Sequence, residues 1–337
     1  MSKKIQIIFW VMLVVFIFIV MVLTLIYRVQ VDFPDGFIVY SKGDHSNREL
    51  KLQRLAKGRG PIGEEVTVTP RGAYSDIQCC ISFDGKLVAF SRELELINSR
   101  YDPPGDYHMF GNYDVYIVRI DGELPAEPKK VAHGYWPSWG DDSDQPTKTL
   151  YYSNVPGTGR EDEDLKVFKV TISSDGSVST PIQHIDVPEN SRDPHMQCSP
   201  DGRYVAYRTN KVKIYDSKTG ITSGPYDGCH PSWGSDSYWL YWARSQVGAV
   251  VDGAMDGPAL ELPFPYYCGW SNDMKWVIGR IDSIKNDQNT PHELHVHSVE
   301  LSNIGEPIKA SSQFQFKMPK GTWCDIHVTT DATISEQ

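Results

Sequence analysis

An all-β fold, a six-bladed β-propeller preceded by one transmembrane helix, is what this 337-residue sequence predicts. Three observations predict it. Residues 5–27 form an apolar run, a strand–turn–strand unit recurs along the remainder, and each end of the chain supplies strands that the other lacks.

The chain opens with Lys3 and Lys4, after which only Gln6 and Thr24 interrupt the apolar run from Ile5 to Tyr27. That length spans a hydrocarbon core as a helix, and the run has no polar face of the kind a buried soluble helix keeps. A cleaved signal peptide has a shorter apolar region and a small-residue cleavage site, whereas this run continues through Leu25, Ile26 and Tyr27 into Arg28. Lysines before the span and a single nearby Arg28 after it place the N-terminus in the cytoplasm and the body outside it. The expected division is a cytoplasmic stretch 1–4, an anchor 5–27, a linker 28–36, a propeller 37–330 and a tail 331–337.

After the anchor, Gly and Pro punctuate at short intervals, aromatic residues make up 12% of the chain, and no long period-3.6 pattern occurs. A net charge of −10 without a Lys/Arg cluster speaks against nucleic acid as a partner.

The clearest repeat is His195 to Tyr207, a short strand, a Ser199-Pro200-Asp201-Gly202 turn and a second strand from Tyr204. Asp-Gly between two strand-like runs is a hairpin signal, because glycine adopts the positive φ the turn needs. Equivalent first strands centre on Cys79, Pro137, Met196, Pro231, Cys268 and Cys324. Second strands follow the first five at Leu87–Phe90, Leu150–Tyr152, Tyr204–Tyr207, Trp239–Trp242 and Trp276–Ile278. Third strands follow at Val115–Ile120, Val167–Ile172, Val212–Tyr215, Val247–Val251 and Leu294–Val299. The sixth unit stops after its first strand, while Phe37–Tyr40 and Leu50–Leu55 supply a second and a third strand with no first. Pairing the two ends closes a ring and removes the open edges.

The PxWSPDG-type text followed by an apolar strand resembles the TolB-like, WD40-like propeller repeat over most of residues 37–330. Ser199–Gly202 and Ser82–Gly85 stand near that pattern, while Pro-Ser-Trp-Gly at 137–140 and 231–234 keeps its Pro and Trp. The resemblance implies a partner-binding platform in a bacterial envelope. Relatives of this kind also accompany peptidase domains or act as lyases, so the fold does not choose the function. Residues 29–36 leave no room for the α/β domain that precedes the propeller in the family's namesake.

Blade geometry puts the start of each first strand on the face where the long loops 91–113, 154–164 and 282–291 emerge. The residues there are Gln78, Trp136, His195, His230, Tyr267 and Trp323. They predict a concave, aromatic-lined channel mouth that takes a protein, peptide or saccharide. His195 and His230 occupy the same position on neighbouring blades, so they are the candidate pair for a divalent metal or for acid/base work. The plainer reading makes them hydrogen-bonded channel residues, and no cofactor is predicted. Arg192 and Asp193 fall at the same mouth, or cap a turn.

The six cysteines lack C-x-x-C spacing, and three of them (Cys268, Cys324, Cys79) share one position on consecutive blades, too far apart for a disulfide. Small buried thiols are expected. Glu293, His295 and His297 alternate with apolar residues, and an exposed polar strand face is expected of them. The acidic runs 141–144 and 161–164 lack a calcium-loop pattern and are expected to be solvated tips. The aromatic loop Tyr101–Phe110 is expected to make a contact.

The expected function is a single-pass protein of the bacterial cytoplasmic membrane, with an extracytoplasmic propeller acting as a binding or scaffolding module. No nucleophile elbow, phosphate loop or zinc-protease motif is present in the sequence. The alternative is a carbohydrate-active lyase or hydrolase using His195, His230 and Tyr267. Oligogalacturonate lyases are similar in being propellers with channel-mouth histidines and a divalent metal.

Overall fold

The computed structural model describes residues 10, 12–18, 34–43, 47–93, 113–141, 145–154, 165–187, 195–228, 230–242, 246–264, 268–281, 293–318 and 321–329. Its strands build six sheets of four antiparallel strands arranged as blades.

Blade 1 contains β1 (Gly36–Lys42), β2 (Glu49–Ala56) and β3 (Gly60–Thr67). Blade 2 contains β4 (Ser75–Ile81), β5 (Leu87–Glu93), β6 (Tyr113–Arg119) and β7 (Lys129–His133). In blade 3 run β8 (Tyr135–Trp139), β9 (Lys148–Ser153), β10 (Lys166–Ile172) and β11 (Ile182–Asp186). Blade 4 is formed by β12 (Met196–Cys198), β13 (Tyr204–Arg208), β14 (Val212–Asp216) and β15 (Ile221–Tyr226). Blade 5 follows with β16 (Ser232–Trp233), β17 (Trp239–Trp242), β18 (Gln246–Val251) and β19 (Ala254–Glu261). Blade 6 holds β20 (Cys268–Trp270), β21 (Trp276–Ile281), β22 (Glu293–Leu301) and β23 (Ala310–Met318). The last strand, β24 (Thr322–Val328), is the inner strand of blade 1, in the order β24-β1-β2-β3.

The expected closure between the two ends is therefore present, with Gly36 opposite Val328 and Tyr40 opposite Cys324. Gly36 is required at that seam, since a Cβ there would lie 2.1 Å from the His327 carbonyl oxygen. First, second and third strands lie where the repeats put them. The fourth strands did not show in the sequence. They face solvent on the outer rim, with Ile62, Ile182, Ile221 and Phe314 exposed, and have no inward face to impose an apolar alternation.

Why the second strands read as almost continuous apolar runs is plain from the packing. Successive side chains point to opposite faces of a strand. In β1, Val39 packs toward blade 2 against Val88 and Phe90, while Ile38 and Tyr40 pack toward blade 6 against Ile278 and Val296. In β5, Leu87 and Ala89 turn instead to Trp139 and Leu150 of blade 3. The same layering joins blades 3 to 4, 4 to 5 and 5 to 6. Both faces of each blade are thus buried, and burying one large apolar side chain contributes roughly 1.5–3 kcal/mol.

The Ser-x-Asp-Gly turns are structural. Ser199 Oγ donates to Asp201 Oδ1 at 2.5 Å and accepts from Tyr204 N at 2.9 Å, and Gly202 has φ +73°. Ser82 with Asp84 and Ser271 with Asp273 repeat the arrangement. The tryptophans of the repeat fasten one blade to the preceding one. Trp139 Nε1 donates to Cys80 O at 3.0 Å, Trp233 Nε1 to Gln197 O at 3.0 Å, and Trp270 Nε1 to Ser232 O at 3.2 Å.

Most of the apolar run at 5–27 lies outside the described residues. Within it, residues 12–18 are helical, with Met12, Val14, Phe16 and Phe18 exposed. Among the described residues, no helix is long and apolar enough to cross a membrane.

Candidate functional site

The inner strands carry their first residues to the channel axis by an unusual backbone device. Gln78, Trp136, His230 and Trp323 all have left-handed φ, at +55°, +55°, +51° and +44°. In β4, β8 and β24 that residue sits in a break of the strand register, so an extra residue bulges out and re-aims its side chain. Non-glycine residues in this region cost of order 1–3 kcal/mol each, and such strain concentrates at binding sites. Repeat register marks these positions in the sequence, whereas their left-handed backbone is seen in the structure alone.

The side chains meet. The Trp136 ring lies 4.9 Å from that of His195, 5.3 Å from Trp323 and 6.0 Å from His230, and the two imidazoles stand edge to face at 3.9 Å. Tyr135 and Tyr113 extend the cluster outward, toward the ends of β5 and β6 where one long loop departs. The structure thus brings together Gln78, Trp136, His195, His230 and Trp323; Tyr267, Arg192, Asp193 and the loop Tyr101–Phe110 lie outside the described residues.

Gln78, Trp136, His195, His230 and Trp323 are each no more than 9% exposed, so these five side chains pack closely rather than standing in solvent. Near the axis the blades converge, far below the roughly 10 Å between stacked sheets, and aromatic rings fill the remaining space. The open volume lies along the channel beneath them. A cavity of about 120 Å³ runs from Gln78, Trp136, His230 and Trp323 toward the turn residues Ser82, Ser235 and Asn272.

Below the ring, side chains one past the aligned position bond across to the next blade at Cys80, Ser138, Gln197 and Asp325. Gln197 Oε1 accepts from Trp233 N at 2.6 Å, Ser138 Oγ donates to Cys198 O at 3.3 Å, and Asp325 Oδ2 accepts from Ile81 N at 2.7 Å. Asp325 was missed from the sequence, although reading one column further along the repeats finds it. The series is Cys80, Ser138, Gln197, Ser232, Gly269 and Asp325, in which one residue is acidic. Burial pushes its carboxyl up to about 7, against the pull of the Ile81 and Ile326 N–H groups.

Cys79, Cys80, Cys198, Cys268 and Cys324 are free thiols. Burial pushes all five well up, so the thiolate needed for nucleophilic or metal chemistry is disfavoured. Among the described residues, no group of three or more His, Cys, Asp and Glu is arranged to hold a metal ion. Glu93, at the rim end of β5, is 7% exposed. Burial raises its carboxyl to about 7 against Arg48 and Tyr113.

The strand face of Glu293, His295 and His297 also differs from expectation. His297 is buried between Phe264 and Phe314, and burial lowers its imidazole to about 4. His295 stays near the surface, 3.3 Å from Glu293.

No protein-family model matches the chain, and no curated protein matches its sequence. Solved structures do resemble it. TolB from Acinetobacter baumannii aligns with a TM-score of 0.51 at 12% identity, covering 86% of this chain and 66% of that one. A puromycin hydrolase aligns with a TM-score of 0.41 at 13% identity over 80% of this chain and 44% of its own. A chain of a mitotic checkpoint complex gives 0.42 at 12% identity over 86% of each. This chain therefore spans less than two thirds of the length of the TolB and puromycin hydrolase structures. At such identities likeness establishes a fold and leaves function open. The fold is a six-bladed β-propeller similar to that of TolB.

Proposed function

We propose that this chain is a membrane-anchored binding module, held in a bacterial cytoplasmic membrane by residues 5–27, with its propeller on the extracytoplasmic side. A protein, peptide or saccharide partner meets the face at which Gln78, Trp136, His195, His230 and Trp323 gather, with Tyr267, the repeat-equivalent residue, as a sixth contact by sequence position. The observation that carries the binding reading is the strained ring itself. Four repeat-equivalent residues hold left-handed backbone conformations to bring an amide, an imidazole and two indoles to one axis. A structural plug needs no such strain, since ordinary apolar side chains would fill the space.

The anchor is supported by the apolar run and by the exposed Trp10, Met12, Val14, Phe16 and Phe18 of its helical part, a surface that water does not favour.

A paired reporter fusion at the C-terminus tests location. Alkaline phosphatase active in the membrane fraction, with a dark cytoplasmic fluorescent fusion, is expected. A fluorescent, soluble fusion would overturn the anchored, extracytoplasmic reading. Binding is tested with a photo-crosslinking residue at position 267, the repeat equivalent of the ring residues in sequence. A discrete adduct that vanishes when Trp136 is replaced by Ala is expected, and an adduct indifferent to that change would count against the ring as the contact.

A further inference from the structure

Two groups on the wall of the axial cavity have demands that the described residues leave unmet. The first is Asp325. Its oxygens accept from Ile81 N at 2.7 Å and Ile326 N at 3.0 Å, yet no Lys or Arg is among the side chains lining the cavity. Asp325 is partly buried, and a carboxylate drawn into a cavity wall without a cation is disfavoured, since such groups are usually found paired. The bond to the next blade does not call for a charge, because Gln197 makes the equivalent bond to Trp233 N with a neutral amide. The acidic residue is therefore in excess of what the architecture requires.

The second group is Gln78. Its side chain lines the same cavity, the residue is 6% exposed, and neither its Nε2 nor its Oε1 has a hydrogen-bond partner among the described residues. A buried amide left unsatisfied costs about 1–3 kcal/mol, and the left-handed backbone at Gln78 adds strain to it.

The remaining wall narrows the chemistry. Indoles of Trp136, Trp270 and Trp323 line the cavity, and indole faces attract cations. Thiols held protonated by burial are poor metal ligands. No group of three or more metal-ligating side chains is arranged for an ion among the described residues. The cavity of about 120 Å³ exceeds the roughly 10–15 Å³ that a single water needs, so a small organic molecule fits the scale.

We propose that the axial channel is a binding site for a small organic ammonium ion, with Asp325 as its counter-ion and the Gln78 amide as its second hydrogen-bonding anchor. The site adjoins the partner face, sharing Gln78, Trp136 and Trp323 with it, but Asp325 belongs to the channel alone, so ammonium titration with Asp325→Gln and partner crosslinking read the two separately. Its failure would leave that reading standing, and the reverse also holds.

Isothermal titration of the full-length protein at about pH 8, where a carboxyl titrating near 7 is ionised, tests it with ethanolammonium and trimethylammonium chlorides. Calcium chloride and neutral acetamide serve as controls. Saturable binding of at least one ammonium ion is expected, without competition from calcium or acetamide. Asp325→Gln, which installs the residue used at Gln197, should weaken it at least tenfold, and Gln78→Leu severalfold. Asp186→Asn on the outer rim should leave it unchanged. The proposal is overturned by a folded wild type that binds neither ammonium ion, by equal affinity in Asp325→Gln, or by calcium binding in their place. Should Asp325→Gln not fold, Asp325→Asn gives the same reading, and the wild-type competition with calcium and acetamide stands without any variant.

Discussion

Arg92 closes a two-point ion pair on Asp76 inside blade 2, Nε to Oδ1 at 2.6 Å and Nη2 to Oδ2 at 2.9 Å, with both side chains almost fully buried. The guanidinium also lies 3.7 Å from the centre of the Tyr74 ring. Burial lifts the Asp76 carboxyl despite Arg92 beside it, so desolvation outweighs the attraction. Arg92→Ala should therefore cost about 3–5 kcal/mol by leaving a buried charge uncompensated, while a double Asp76→Leu/Arg92→Met variant should cost less. Urea denaturation of both variants checks this, and a double variant weaker than the single would overturn it.

Gly202 is held by conformation and by space. Its φ is +73°, and a Cβ there would lie 2.4 Å from the Tyr151 hydroxyl of the neighbouring blade. Gly202→Ala should lower stability by at least about 1–2 kcal/mol from the backbone alone. Tyr151→Phe in the same background should recover part of the loss, which thermal unfolding of the two variants reads directly.

At Gln78 the opposite sign is expected. Replacing it by glycine removes a left-handed non-glycine residue and an unsatisfied buried amide, at the expense of a few methylene contacts. Gln78→Gly should leave stability unchanged or raise it by up to about 1 kcal/mol. Strain kept for binding behaves in this way, and a clear loss of stability in denaturant would show that the side chain serves packing instead.

Two sets of buried groups give opposite pH dependences. Asp325 and Glu93 titrate at about 7 in the fold, raised chiefly by burial. Unfolded, they titrate near 4, so from about pH 4 to 7 the folded chain holds protons that the unfolded chain has released, and stability falls as pH rises. His297 and His327 are lowered to about 4, again chiefly by burial. Their unfolded imidazoles titrate near 6.5, so the unfolded chain holds the extra protons between about pH 6.5 and 4, and stability falls as pH falls. In the wild type the two trends offset each other. A Glu93→Gln/Asp325→Asn variant should gain stability more steeply from about pH 4.5 to 6.5. Denaturation free energies across that range check it, and an unaltered slope would overturn the assignment.

The sequence by itself determined the ring. Recurring apolar strands such as those at Val39, Phe90 and Tyr207, the Asp-Gly turns, and a terminal strand at Cys324 matched to orphan strands at Phe37 and Leu50 specified blade number and closure. These are local signals, because side-chain period and turn φ are properties of a few adjacent residues. The fourth strands were not legible, since a half-exposed edge strand carries no core-facing pattern. The candidate residues Gln78, Trp136, His195, His230 and Trp323 were also found locally, by repeat position. Only the tertiary structure decided what they form: blades meeting at an axis bring the His195 and His230 ring centres to 3.9 Å, beside residues with left-handed backbone. It likewise decided that Asp325 faces a cavity without a cation and that His297 lies beneath Phe314, because burial and desolvation arise from residues distant in the chain.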